Sequence, residues 1–229
     1  MSFFDANSTS NKKLNFLSIN SAGSKVEVVL YNDGKIFKRS DGFKKASATL
    51  FVFIDELLTG ANLELSDLNF IGVVTGPGSF TGIRIGLTAA RALAQFNNLK
   101  LVTVTHHAVF AYNNKGDFGS AVLTDASNGL VYASQFDSDK NILGDIKVLT
   151  KDEINPFLSG LTANTTAYVC HSLKNTHEFN DKKIVFVEDN CDALVTATLS
   201  SYKKTGAVDY KKVEPLYIRV SQAEANLKC

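Results

Sequence analysis

Short apolar blocks separated by turn residues open the chain. Residues 14–19 (LNFLSI) and the β-branched run 26–30 (VEVVL) have the length and composition of strands. Tyr31-Asn32-Asp33-Gly34 supplies residues that tolerate positive φ, and 35–38 would return as a third strand, so the chain begins as a meander. Residues 46–58 switch to the helical period, with Leu50, Ile54, Leu57 and Leu58 on one face. Phe51, Val52 and Phe53 spread apolar surface around the same helix. Such a helix is covered on more than one side, either by a loop or lobe of its own chain or by a partner. The continuous apolar run 70–74, a helix over 81–96 and a strand over 100–104 form a strand–helix–strand crossover, the unit that builds parallel pairs.

The second half repeats this grammar more weakly. Residues 121–124 and 130–136 read as paired strands joined through Asp125-Ala126-Ser127-Asn128-Gly129. A short helix over 152–158 is compromised by Pro156. Strands are expected over 168–170 and 184–187, a helix over 191–203, and an extended or capping segment over 215–220. These elements divide the chain into a flexible extension (1–13), an N-terminal lobe (14–104) and a C-terminal lobe (105–229) whose last segment packs back on the first.

Composition narrows the class. The chain has 229 residues, 24 Lys and Arg against 23 Asp and Glu, and 45% apolar residues, which suits a globular protein without a global basic field. Three cysteines, Cys170, Cys191 and Cys229, are far apart, so neither a disulfide framework nor a zinc site is expected. Apolar runs fall short of the ~18 residues of a membrane span, and MSFFDANSTSNKK lacks a signal core, so a cytoplasmic protein is expected.

The densest chemistry is the glycine-rich stretch that begins at Gly76. It lacks the Gly-Lys pair of a phosphate-binding P-loop, is one residue too long for a dinucleotide fingerprint, and sets Ser79 directly after Gly78, which fails the nucleophile-elbow spacing. What remains is a sharp turn into a helix N-terminus. It is either purely structural or a weak anion or nucleotide site formed by Gly76, Gly78, Ser79 and Thr81. The following helix places Gly82, Gly86, Ala89 and Leu93 along one face, with Ile83, Leu87, Ala90 and Ala94 beside them and Arg84, Thr88, Arg91 and Gln95 in a narrow polar strip. A glycine inside a helix costs about 1 kcal/mol relative to alanine. Two on one face therefore indicate a close neighbour, either the chain's own sheet and helix or a second subunit with Arg84 and Arg91 at the rim.

GPGSFTGIRIG (76–86) is similar to the signature of the TsaB family, also called YeaZ, which serves bacterial synthesis of threonylcarbamoyladenosine next to the tRNA anticodon. Leu17-Ser18-Ile19-Asn20-Ser21, Leu65-Ser66-Asp67-Leu68, Asp125-Ala126 with Val131-Tyr132, and Glu214-Pro215-Leu216-Tyr217-Ile218-Arg219 resemble further family segments in register. The resemblance implies the two-lobed actin, sugar kinase and Hsp70 (ASKHA) fold, an α/β architecture with a mixed sheet and flanking helices in each lobe. It also implies a non-catalytic subunit that binds and activates the catalytic TsaD together with the ATPase TsaE, reaching tRNA only through that complex. The same helices would serve a homodimer. The implied interface comprises Phe51, Phe53, Gly82, Arg84, Gly86, Ala89, Ala90, Arg91 and Leu93, with Gly86→Leu expected to block docking and spare the fold. Neither metal nor intrinsic cofactor is implied, and ATP or ADP would sit at the complex interface.

Three positions depart from the family: Asn20 for an aspartate, Ala46-Ser47 for His-Ser or His-Thr, and Asp125-Ala126-Ser127 for Asp-Ala-Arg. Each removes a group suited to metal, phosphate or acid–base chemistry. Rival readings are a glycoprotease-like peptidase using Ser79, His106 or His107 and Asp125, an ATPase or sugar kinase of the same fold, and direct tRNA contact through Lys44-Lys45, Lys203-Lys204 and Lys211-Lys212.

Overall fold

A computed structural model describes residues 13–42, 46–116, 118–180 and 183–219. The opening apolar blocks form the expected meander, β1 (Asn15–Asn20), β2 (Lys25–Asn32) and β3 (Lys35–Gly42), paired antiparallel. Helix α1 (Ala46–Ala61) leads to β4 (Phe70–Gly76), helix α2 (Phe80–Phe96) and β5 (Leu101–Thr105), with β4 parallel to both β1 and β5. The resulting sheet has the order β3-β2-β1-β4-β5.

After a short helix α3 (His106–Ala111) the chain builds the same pattern again: β6 (Ser120–Asp125), β7 (Val131–Phe136), β8 (Lys147–Leu149), helix α4 (Lys151–Ser159), β9 (Thr166–Cys170), β10 (Ile184–Val187) and helix α5 (Cys191–Thr205). The second sheet runs β10-β9-β6-β7-β8, the same arrangement read from its other edge. The place held by α2 in the first copy is filled in the second by a single 3-10 turn, His171–Leu173.

Apart from the largely exposed β3, the first sheet is buried on both faces. Leu17, Ile19, Val26, Val28, Leu30, Ile71 and Val73 meet α1 and α2 on one side. Phe16, Val29, Tyr31, Phe70 and Val102 meet α5 on the other, through Ala193, Leu194, Val195 and Ala197. The last helix of the second half therefore completes the core of the first. Ser18, buried in β1, pairs its hydroxyl with that of Thr198 on α5 at 2.8 Å.

Three local features go beyond the sequence reading. The segment 152–158 is helical despite Pro156, because Thr150 and Glu153 form a capping box that fixes its start. The His106-His107 pair is buried at the start of α3, where Thr105 accepts from the Ala108 amide as the cap. Strand β8 lay in a stretch with no strong alternation. Lys44-Lys45, Cys229 and residues 1–12 lie outside the described residues.

Candidate functional site

Two features stand out: a cleft between the lobes, and the outer face of α1 and α2. The cleft holds a cavity of about 570 Å³ lined by Gly23, Ser24, Gly78, Ser79, Thr81, His106, Asp125, Tyr132, Cys170 and Arg219, among others. Of the anion candidates, Gly78, Ser79 and Thr81 border this cavity. Gly76 does not: it sits against the C-terminal segment, where an added Cβ would lie 2.6 Å from the Leu216 carbonyl oxygen. Ser79 is committed to structure. Its Oγ caps α2 by accepting from the Gly82 amide at 3.2 Å, and its own amide donates to the Ala22 carbonyl at 2.8 Å.

The histidines divide their roles. His107 is fully buried between two hydroxyls, Nδ1 2.7 Å from Ser134 Oγ and Nε2 2.8 Å from Thr124 Oγ1. Burial, aided by repulsion from His106, pushes its pKa down to about 3, so the ring is neutral. His106 Nε2 meets Asp189 Oδ1 at 2.6 Å with both side chains buried. Burial alone would lower His106, but the Asp189 carboxylate outweighs it and the net shift is upward. Asp189 in turn is held below the ordinary carboxylate range, because His106 and Asn20 outweigh its own desolvation. The acid beside a histidine is thus Asp189 and not Asp125, whose Oδ1 accepts from the Ser127 amide at 2.7 Å.

Asn20, at the end of β1, connects the lobes. Its Nδ2 donates to Glu27 Oε2 at 2.9 Å and to Asp189 Oδ1 at 3.2 Å, while its Oδ1 accepts from the Ala22 amide at 3.1 Å. Glu27 is buried in β2, and desolvation with the nearby Asp189 charge pushes its pKa up to about 7. The Cys191 thiol donates to Glu27 Oε1 at 3.5 Å, and burial with that neighbour pushes the thiol up to about 12. Among the described residues no group of three or more His, Cys, Asp or Glu is arranged to hold a metal.

The C-terminal segment crosses from one lobe to the other. The Leu216 amide donates to the Thr75 carbonyl at 2.8 Å, and Tyr217 stacks on Phe80 at 4.7 Å between ring centres. Arg219 reaches the second lobe, where it donates to the Ala126 and Ser127 carbonyls. This strap also takes up both arginines of α2. Arg84 Nε donates to Tyr217 Oη at 3.0 Å, and Arg91 donates to the Val213 carbonyl and pairs with Glu214 at 3.1 Å.

The expected interface residues therefore separate. Gly82, Gly86, Ala89 and Ala90 are buried against the chain's own sheet. A Cβ on Gly86 would lie 2.4 Å from Ser21 Oγ and 3.4 Å from Ile19 Cγ2, and Ser21 Oγ donates to the Gly82 carbonyl at 2.8 Å. The small residues thus admit β1 and the turn after it, which corrects their placement at a partner surface. Phe53 and Leu93 are half-buried against the same core. Phe51 is 50% exposed, and so are two residues outside the implied interface set, Val52 at 54%, which the sequence already marked as apolar surface, and Phe96 at 85%. Ile85 and Ala92, both partly exposed, share the face of α2 that carries Phe96.

Two similar sheets, each a meander followed by parallel strands, with a cleft between them, define a two-lobed ASKHA-type α/β protein. Comparisons with known proteins agree. The family model for TsaD, tRNA N6-adenosine threonylcarbamoyltransferase, matches residues 43–155. The Escherichia coli K12 tRNA threonylcarbamoyladenosine biosynthesis protein TsaB is 29% identical over 132 residues, 56% of this chain and 57% of that protein. Its Buchnera aphidicola counterpart is 31% identical over 96 residues, 42% of this chain and 43% of that one. The chain thus spans about half the length of these curated relatives. A Pseudomonas aeruginosa structure, described as an uncharacterized protein with similarity to peptidase YEAZ, superposes with a TM-score of 0.78 at 18% identity, covering 90% of this chain and 100% of that one. The chain is thus similar to TsaB-named proteins over about half its length and shares the fold of the YeaZ structure, in line with the resemblance carried by residues 76–86.

Proposed function

We propose that the chain is a non-catalytic subunit in tRNA threonylcarbamoyladenosine biosynthesis, docking a TsaD-type catalytic subunit on the outer face of α1 and α2. The observation that carries this reading is that large apolar side chains stay exposed on two helices that share one core cluster, Phe51 and Val52 on α1 and Phe96 at the end of α2. Large apolar groups left in water on neighbouring helices mark an interaction surface. A second copy of the chain would use the same face in the absence of the partner. TsaE joins the complex in this reading, tRNA is reached through the assembly, and ATP or ADP lies where the subunits meet. The non-catalytic role is supported by the uses already made of the polar groups: Ser79 caps a helix, His107 is neutral and enclosed, and Asn20 spends its amide on Glu27 and Asp189. A peptidase reading gains a His106–Asp189 pair, but none of the recorded hydrogen bonds of Ser79 reaches a histidine.

Light scattering coupled to size exclusion, on the chain alone and mixed with TsaD from the same organism, tests the proposal. A one-to-one complex that the double substitution Phe51→Asp/Val52→Asp abolishes, with an unchanged melting temperature, is the expected outcome. No complex with folded TsaD, with and without ATP, overturns it.

A further inference from the structure

We propose that Asn20 is an interlobe lock: its carboxamide gives one proton to a carboxylate of each lobe and thereby holds the two lobes at one fixed angle. Glu27 belongs to β2 of the first sheet, and Asp189 follows β10 of the second. Both amide protons of Asn20 are used on these two acids, and its oxygen is used on the Ala22 amide, so the side chain has one orientation that satisfies all three. An aspartate here would offer no donor and would place a third carboxylate between two others.

A second observation, which involves no titrating group on its own element, points to the same seam. Gly23 lies against the Asp189 carboxylate so closely that an added Cβ would stand 2.0 Å from Oδ2. The turn between β1 and β2 is thus shaped to receive an acid from the other lobe. The same turn is wedged against the start of α2: the Ser79 amide donates to the Ala22 carbonyl, Ser21 Oγ donates to the Gly82 carbonyl, and a Cβ on Gly78 would lie 2.2 Å from the Ala22 oxygen. Lobe angle and the seating of α2 are therefore fixed by one four-residue turn.

The charged and titratable groups facing the lock come from every element around it. His106 at the start of α3 holds Asp189, and Cys191 at the start of α5 holds Glu27. Lys25 on β2 pairs with Glu188 beside Asp189, and Lys38 on β3 pairs with Asp192. Cys191 and Asp192 begin α5, which packs on the first sheet, so the side-chain contacts that run from the first sheet to the segment just after β10 are Asn20–Asp189 and Lys25–Glu188, with His106 bracing Asp189. On this proposal the seam makes the two lobes a single rigid body.

Pulsed electron resonance on the full chain tests the lock. Nitroxides are attached to p-acetylphenylalanine at two exposed positions, Thr59 on α1 and Asp152 on α4, with Lys35 and Thr59 as a control pair inside the first lobe. The natural sequence should give one narrow interlobe distance. Asn20→Asp and Gly23→Ala should each add a second, longer distance and leave the control pair unchanged, whereas Glu27→Gln, which keeps an oxygen for Asn20 to bond, should stay narrow. A broad interlobe distribution in the natural sequence overturns the proposal. So does an unchanged narrow one in a folded Asn20→Asp or Gly23→Ala chain. Circular dichroism establishes folding, and should Asn20→Asp not fold, Gly23→Ala and the natural sequence decide.

Discussion

At the scale of single residues, buried polar groups govern how the protein responds to its surroundings. Glu27 and His106 hold protons more firmly in the folded chain, so their contribution is complete below the unfolded pKa values and is lost as pH rises through the folded ones, about 7 for Glu27. His107 acts in the opposite sense: its contribution is present above the ordinary histidine value of 6.5 and is lost as pH falls toward about 3. The melting temperature should therefore rise as pH drops from about 8 to 6.5, and then level off as the two slopes oppose each other. His107→Gln should convert that plateau into a continued rise, and a natural chain that loses stability steadily over the upper interval would contradict the assignment. Gly86 supplies a second residue-level prediction. With Ser21 Oγ 2.4 Å from its virtual Cβ, Gly86→Leu should destabilise the fold by about 3 kcal/mol or more, read by chemical denaturation. A folded Gly86→Leu chain of normal stability that fails only to dock would restore the sequence-based expectation.

At the scale of elements, α1 and α2 each carry two faces with different tasks. Leu50, Ile54 and Leu57 of α1 and Ile83, Leu87 and Ala90 of α2 are buried by their own chain, which is what their helical spacing announced. The surplus, Phe51, Val52 and Phe96, has no such cover. Phe96→Asp, at the end of α2 and away from the core, should weaken partner docking at least about tenfold and alter the melting temperature little. Calorimetric titration with the partner subunit measures the first and a thermal scan the second. Unchanged affinity would confine the docking surface to α1. The polar strip of α2 proved to be a track for the chain's own strap, since Arg84 and Arg91 are occupied by Tyr217, Val213 and Glu214.

At the scale of the molecule, the core of the first lobe is completed by the last helix of the chain. Helix α5 covers the face of the first sheet formed by Phe16, Val29, Phe70 and Val102 although it follows the second sheet in sequence. Tyr202 of α5 stacks on Phe70 at 4.4 Å between ring centres, extending an aromatic row through Phe16 to Tyr31. A fragment ending after residue 112 should therefore leave that face bare and fail to give a cooperative melting transition, while addition of residues 190–219 in trans should restore one. A fragment of 1–112 that melts cooperatively alone would show the lobes to be independent. Among the described residues, no helix is long and apolar enough to cross a membrane.

Much of this was legible in the linear chain because it depends on local periodicity. Strand blocks, helical faces and the 76–86 turn are set by side-chain order within one element, and their order already implied a meander-and-crossover first half with a weaker repeat after it. Even the burial of Glu27 left a trace: it shares a strand face with Val29 and Tyr31 while Val26, Val28 and Leu30 fill the other, so a strand apolar on both faces had an acid among its core positions. Partnership across long separations was not legible. That Asn20 meets Asp189, that Gly86 admits Ser21 instead of a second subunit, and that Arg84 is spoken for by Tyr217 depend on how elements far apart in sequence come to rest against each other. Hydrophobic pattern fixes which face is buried, since burial depends only on apolar area. What buries it depends on shape and hydrogen-bond geometry, and those exist only once the chain has folded.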